Sequence, residues 1–186
     1  MKLNSIRKQV VVVGAGAAGI AAAVAAARNG AETLLVEYNG YLGGISATLG
    51  WIGFHDNRYR QVVRGLASEF VSNMQERGEA SPYVLDPKCS SIVTLNTHIW
   101  KIVAIEQCQA AGVELMLHTH VVAALREGGR VTGIVVEHKS GRQDIHADVV
   151  IDCSGDGDVA ARAGAAWEKG RTGDGLVHPP PIPQEA

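Results

Sequence analysis

QVVVVGAGAAG, at residues 9–19, is the stretch of sequence that decides the fold. Its first half, Gln9–Val13, is a β-branched run typical of a strand that is buried on both faces. Its second half has the glycine spacing G-x-G-x-x-G, and residues 17–29 continue it as an Ala-rich stretch that predicts a helix. A strand, a glycine-rich turn and a helix in this order predict an anion-binding helix N-terminus.

Each glycine of this motif has a separate geometric reason. Gly14 allows the tight turn, Gly16 leaves room for a pyrophosphate beside the backbone, and Gly19 lets the helix pack close to the strand. Ala17 and Ala18 place the first free N–H groups of the helix, and with them a partial positive charge, next to the anion. These five residues are therefore predicted to bind the pyrophosphate of a dinucleotide.

Glu37 follows a second predicted strand, ETLLV at residues 32–36, which completes a β-α-β unit. A carboxylate at the end of this strand can accept hydrogen bonds from both ribose hydroxyls of an adenosine. The same charge repels a 2′-phosphate, which argues against NADP. The alternative is a glycine-rich turn with an exposed glutamate and no ligand, and the coincidence of strand, turn, helix and acid favours the nucleotide site.

Composition limits the class of protein. The 186 residues suit one domain whose core needs no disulfide or metal, and 46% hydrophobic with 19% charged residues is ordinary for a soluble globular protein. Lys and Arg number 17 against 19 Asp and Glu, which gives a net charge of -2. A general binder of phosphate backbones needs a basic surface, so we expect no nucleic-acid partner.

The N-terminus resembles a secretory signal, because basic residues precede an apolar, Ala-rich run. We reject this alternative, since the glycine spacing has its own explanation and the run is too weakly hydrophobic for a membrane span. Cys89, Cys108 and Cys153 are far apart and form no C-x-x-C pair, which favours reduced thiols over a zinc or iron–sulfur site. We therefore expect a cytoplasmic protein with no membrane span and no metal site.

Apolar stripes and turn residues predict the elements of the remaining chain. Gly-Gly and Ser-Gly pairs mark the turns of a three-stranded antiparallel meander. The predicted elements are, in order, a glycine-rich loop at 39–53, a helix at 58–77, an irregular segment at 80–91, a helix at 94–111, a strand at 113–117, meander strands near 121–126, 131–138 and 142–146, a parallel strand at 148–153 and a helix start at 159–163.

A second glycine pair, Gly43-Gly44, follows Glu37 in the run EYNGYLGG, and Ser46 extends the same loop. A simple NAD-binding fold does not need this pair, whereas the far end of a larger cofactor must run past such a loop. The alternative is a plain flexible loop. The pair therefore favours a cofactor longer than NAD.

Residues 147–158, ADVVIDCSGDGD, carry a third set of candidate ligands. At the carboxyl end of a parallel strand, small residues such as Ser154 and Gly155 let the backbone face a cofactor. Asp156 has two interpretations that stay open: it accepts a hydrogen bond from a cofactor hydroxyl, or it caps the following helix.

These motifs, in this order and spacing, resemble the FAD-dependent oxidoreductases with two dinucleotide-binding domains, near the fumarate-reductase flavoproteins and the heterodisulfide-reductase A-like proteins. The resemblance runs from about residue 10 to about residue 179. It implies an α/β, Rossmann-like FAD-binding domain, with a parallel sheet, helices and the antiparallel meander, and FAD held non-covalently. It also implies that the backbone of Val121 lies beside the adenine.

The chain departs from this family where it stops. Family members continue into a substrate domain and return with a segment that closes over the flavin ring, whereas residues 170–186 read as a Gly- and Pro-rich irregular tail. We expect an incomplete FAD-binding domain at residues 1–169 with the substrate domain missing. Either the chain is truncated, or a partner chain or second copy covers the missing half. The resemblance implies a small-molecule substrate and leaves its identity unknown.

No catalytic residue is assigned from the sequence, because in such enzymes the flavin carries the hydride. His55 and Asp56 lie near the expected flavin ring, but polar surface residues at a helix start are the more common interpretation. His118 and His120 have the spacing of metal ligands without an accompanying acid or cysteine, which favours a structural role. Two other functions remain as alternatives, an NAD-dependent dehydrogenase and a non-catalytic nucleotide-binding or assembly subunit.

Overall fold

The computed structural model describes residues 3–168, so the predicted tail at 170–186 lies outside the described part of the chain. Within residues 3–168 no helix is long and apolar enough to cross a membrane. The elements, in chain order, are β1 (Ile6–Val13), α1 (Ala17–Arg28), β2 (Thr33–Val36), α2 (Ser46–Leu49), β3 (Trp51–Ile52), α3 (Leu66–Glu76), β4 (Val84–Asp86), β5 (Ser90–Thr94), α4 (Thr97–Ala110), β6 (Glu114–Met116), β7 (His120–Glu127), β8 (Arg130–His138), β9 (Gly141–Asp152) and α5 (Asp158–Arg162).

Six strands form one sheet in the order β6-β2-β1-β9-β8-β7. β6, β2, β1 and β9 run parallel, and β8 and β7 continue the sheet as an antiparallel meander. The predicted α/β arrangement of a parallel sheet with a meander is therefore confirmed. Val13 pairs with Val36 on one side and with Asp152 on the other, so β1, β2 and β9 end at the same edge. That edge is where ligands bind in open parallel sheets.

Two different layers bury the two faces of the parallel strands. Val12 and Leu35 belong to a core that they share with side chains of α1, α3 and α4. Val11 and Leu34 belong to a second core, which they share with side chains of β8 and β9. Because side chains alternate between the faces of a strand, a strand covered on both faces needs an unbroken apolar run, which residues 10–13 of β1 and 34–36 of β2 provide.

β9 is longer than the sequence predicts. The expected last meander strand and the expected returning strand are one continuous strand of 12 residues. Gly133 of β8 permits this arrangement, because a Cβ at this position would overlap the carbonyl oxygen of Ile145 in β9. Glycine inside a strand often marks such a close approach of two backbones.

The helix predicted at 58–77 begins only at Leu66, which corrects the prediction. Gly65 stands at its N-cap with a φ of +70°, a left-handed conformation that interrupts any helix running through it. Val62 and Val63, which the apolar stripe assigned to the helix, lie in the preceding loop and are exposed.

The segment predicted as irregular at 80–91 contains β4 and the start of β5. β5 is the central strand of a small antiparallel sheet, with β3 on one side and β4 on the other. Asp86 closes the turn between β4 and β5, because its Oδ1 accepts hydrogen bonds from the N–H groups of Lys88 and Cys89 at 2.8 and 2.7 Å. An aspartate that bonds its own turn in this way is a common turn former.

Candidate dinucleotide-binding site

A cavity of about 830 Å³ opens at the edge where β1, β2 and β9 end. Its volume lies within the range of about 300–1,000 Å³ that is usual for ligand pockets. The walls come from the turn before α1, the loop after β2, the start of β7 and the segment after β9. Of the residues predicted to bind a cofactor, the cavity is lined by Gly14, Gly16, Ala17, Ala18, Glu37, Gly43, Gly44, Ser46, Val121, Ser154, Gly155 and Asp156.

The three motif glycines differ in what surrounds them. A Cβ at Gly19 would overlap the carbonyl oxygen of Gly14, and Gly19 does not line the cavity. Gly14 has a φ of +91°, and a Cβ there would overlap the carbonyl oxygen of Cys153. At Gly16, by contrast, apart from Gly16 and its two chain neighbours, no atom of the described residues lies within 4 Å of the position that a Cβ would take. Gly19 therefore serves packing, Gly14 both packs against Cys153 and lines the cavity, and Gly16 leaves open space beside the cavity.

The N-terminus of α1 meets the cavity at Ala17 and Ala18. Within the described chain, no side chain caps this helix and its first turn holds no acidic residue. The Gly43 N–H donates to the Ala15 carbonyl at 2.7 Å, which holds the loop of the second glycine pair against the turn before α1. The first N–H groups of α1 are thus left for an external acceptor such as a phosphate.

Glu37 is nearly buried, with 7% of its surface exposed, and both of its carboxylate oxygens accept hydrogen bonds. Oε2 accepts from the Ala15 N–H at 2.6 Å. Oε1 accepts from the backbone N–H of Asn39 at 2.7 Å and from the Asn39 side chain at 2.8 Å. The carboxylate therefore joins the end of β2 to the turn before α1 and is fixed in place without a ligand. Three donors leave about one of its four acceptor positions unoccupied.

Glu37→Gln is expected to lower the free energy of unfolding by about 1–3 kcal/mol, because an amide NH₂ would face one of these donors. Urea unfolding measures the change. Glu32→Gln is the matched control, since the Glu32 side chain is exposed and pairs with Lys8 at the opposite end of β1. Equal stability losses in the two variants would contradict the assigned role of Glu37.

Asp152, at the end of β9, organises the segment that follows it. Its Oδ1 accepts from the N–H and the hydroxyl of Ser154 at 3.1 and 2.7 Å, and its Oδ2 accepts from the Ala160 N–H at 3.0 Å. The Ser154 hydroxyl in turn accepts from the Asp158 N–H at 2.9 Å. Asp152 and Ser154 thus make the bonds to the start of α5. Asp156 is exposed on the cavity wall and accepts no hydrogen bond from residues 3–168.

The Asp152 carboxyl gives a pH-dependent prediction. Burial raises its pKa, but the hydrogen bonds from Ser154 and Ala160 together outweigh burial and hold the pKa below the ordinary 3.8. A lowered pKa stabilises the fold above the unfolded-state pKa, and this contribution is lost as the pH falls through the folded-state pKa. We expect Asp152→Asn to be less stable than the parent near neutral pH. Urea unfolding should show the difference shrinking below about pH 4, and a constant difference would contradict this account.

Several polar residues line the cavity without having been predicted from the sequence. They are Tyr38, Asn39, Thr119, His120, Asp158 and Arg162. The sequence points to four of them only through their position in the chain. Tyr38 and Asn39 follow Glu37, and Thr119 and His120 precede Val121. Arg162 comes from α5, one turn after Asp158.

Of the four residues considered for catalysis or metal binding, His120 lines the cavity and His118 does not. His55 and Asp56 are not among the residues that line the cavity. His55 Nδ1 is 2.5 Å from the hydroxyl of the buried Ser91, and Asp56 forms an ion pair with Arg60 at 2.7 Å. In the part of the chain that is described, no three His, Cys, Asp or Glu side chains are arranged to hold a metal ion.

Solved structures share this fold. A geranylgeranyl bacteriochlorophyll reductase-like protein from Thermoplasma acidophilum is 20% identical, with a TM-score of 0.64 over 86% of this chain and 42% of that one. A flavocytochrome c3 fumarate reductase is 20% identical, with a TM-score of 0.60 over 80% of this chain and 34% of that one. L-proline dehydrogenase from P. horikoshii is 15% identical, with a TM-score of 0.59 over 89% of this chain and 58% of that one. The chain therefore spans between about a third and three fifths of the length of these proteins.

Comparison with curated protein sequences gives no significant match. A family model, FAD dependent oxidoreductase, matches residues 9–184, which is most of the chain. The match includes every residue that lines the cavity. The chain belongs to the family of FAD-dependent oxidoreductases, and FAD is its cofactor.

Proposed function

We propose that this chain holds FAD non-covalently in the 830 Å³ cavity and forms the FAD-binding part of an oxidoreductase that acts on a small molecule. The observation that carries the proposal is the open space at Gly16, which lies at the uncapped N-terminus of α1. A pyrophosphate fits a position with free N–H groups and no Cβ. When bound, FAD supplies hydride or electron transfer, while the protein supplies binding and orientation.

Each cavity wall takes one part of the cofactor in this proposal. Gly14, Gly16 and the first turn of α1 hold the pyrophosphate. Glu37 accepts from one ribose hydroxyl, because its three internal hydrogen bonds leave about one acceptor position. The backbone of Val121 lies beside the adenine. The other predicted ligands that line the cavity are proposed to adjoin the ribityl side of the pyrophosphate; they are Gly43, Gly44, Ser46, Ser154, Gly155 and Asp156.

The visible absorption spectrum tests FAD binding directly. The purified chain is mixed with FAD and desalted, and the spectrum is compared with that of the chain before mixing. We expect a retained flavin spectrum, because the walls that meet adenosine and pyrophosphate are all present. A colourless, folded and soluble protein would contradict the proposal that these residues suffice to hold FAD.

A second cavity supports the proposal that further polypeptide covers one face of the domain. It measures about 190 Å³, has an apolar lining and lies between α1, α3 and α4. Val63 lines it, and the adjacent Val62 is 61% exposed. Exposed apolar surface around a cavity is typical of a protein interface. We propose that a partner chain or a second copy of this chain covers this face. If a second copy does, sedimentation velocity shows a dimer that Val62→Lys dissociates, and a monomeric parent chain would exclude the second copy.

A further inference from the structure

We propose that Arg162 stacks the plane of its guanidinium group on the adenine of the bound dinucleotide and thereby positions it. This inference rests on the proposed FAD site. Arg162 ends α5, which packs against β7 and β9. Val121, beside which the adenine is proposed to lie, is the second residue of β7. Both residues line the same cavity, and α5 packs on the strand that carries Val121, so the proposal places Arg162 at the adenine end.

The charges of the cavity argue that Arg162 does not act as a free cation. It is the one arginine or lysine among the described residues that line the cavity, whereas Glu37, Asp156 and Asp158 supply three carboxylates. Its Nη1 donates to Asp158 Oδ1 at 2.5 Å and to the Asp158 carbonyl at 3.3 Å. A guanidinium that is already paired with an acid adds little attraction for a dianionic pyrophosphate. The uncapped N-terminus of α1 serves that group instead.

The same ion pair prepares Arg162 for stacking. A guanidinium bonded in its plane keeps its two faces free, and planar arginine groups stack on nucleic bases. Asp158 stands four residues before Arg162 on one helix face, so the pair restrains the side chain before a ligand arrives. Less rotamer freedom is then lost on binding. The Arg162 side chain is 38% exposed, so solvent now occupies part of the surface that a base would cover.

Binding of AMP and ADP, measured by calorimetry, tests the inference. We expect Arg162→Ala and Arg162→Lys each to weaken both nucleotides by about 5- to 20-fold, the lower part of the range for base stacking, because the side chain is partly exposed. The factor should be the same for AMP and ADP, since both carry one adenine. Arg60→Ala is the matched control. Arg60 also pairs with an aspartate four residues earlier, Asp56, and does not line the cavity.

Two results would overturn the inference. If charge alone matters, lysine replaces arginine without loss, so wild-type affinity in Arg162→Lys would show a charge effect. A larger loss for ADP than for AMP would place Arg162 on the phosphates. If the parent chain binds neither AMP nor ADP, the proposed FAD site itself is wrong, and this outcome is distinct from a failure of the stacking inference alone. Should Arg162→Ala unfold, Arg162→Lys decides alone, because a lysine ammonium still pairs with Asp158.

Discussion

Gly16→Val is expected to weaken FAD binding at least about 100-fold while the chain stays folded, because the valine side chain would fill the space proposed for a phosphate. Each charge-assisted hydrogen bond lost there is worth about 1.5–3 kcal/mol. Stability should change by only about 1 kcal/mol, the scale of replacing glycine at an N-cap by an aliphatic residue. Apart from residue 16 and its two chain neighbours, no atom of the described residues lies within 4 Å of the new Cβ.

Two measurements separate ligand exclusion from misfolding in this variant. Flavin retained after desalting reports binding, and urea unfolding reports stability. Gly129→Val is the matched control, because Gly129 lies in the turn between β7 and β8, has open space around its Cβ position and does not line the cavity. Flavin retention by Gly16→Val equal to that of the parent would show that the phosphate site is assigned wrongly.

Gly19→Ala is expected to lower the free energy of unfolding by about 3 kcal/mol or more, a loss typical of severe overpacking. In an ordinary helix interior the same change stabilises by about 1 kcal/mol, because alanine is the better helix former. Here the sign reverses, since the alanine Cβ would overlap the Gly14 carbonyl oxygen. The backbone at Gly14 cannot rotate away as a flexible side chain can, so α1 must move away from β1.

Thermal and urea unfolding of Gly19→Ala measure this effect without any ligand. Ala25→Gly is the control for helix propensity, because Ala25 is an exposed residue of the same helix. We expect Ala25→Gly to cost about 1 kcal/mol and Gly19→Ala to cost clearly more. A Gly19→Ala variant as stable as the parent would show that α1 does not depend on this close approach.

The turn before α1 was predictable from sequence because its requirements are local. Glycine spacing, a preceding β-branched strand and a following Ala-rich helix each have one physical explanation, and all lie within residues 9–29. The same local logic correctly predicts β2 and the turns of the meander. The roles given to individual glycines in binding FAD stay predictions until ligand binding is measured.

The missed features depend on contacts between distant parts of the chain. The hydrogen bond from the Ala15 N–H to the Glu37 carboxylate follows from the pairing of β1 with β2. The spacing of residues along the chain does not predict it. Arg162 reaches the cavity only because α5 packs on β7. The prediction of a helix at 58–77 was wrong about its start for a different reason. The apolar stripe continues across Gly65, where the backbone turns.

The central position of β1 has a consequence for how the chain folds. β1 pairs early in the sequence with β2, but its other neighbour is β9, and the ion pair of Arg7 with Asp148 joins positions 141 residues apart. During synthesis, one edge of β1 stays unpaired until nearly the whole described chain has emerged. Long-range parallel pairing of this kind is slow, and the waiting edge is exposed to aggregation. Yield in cells should therefore depend on chaperones and on growth temperature more than the stability of the finished domain suggests.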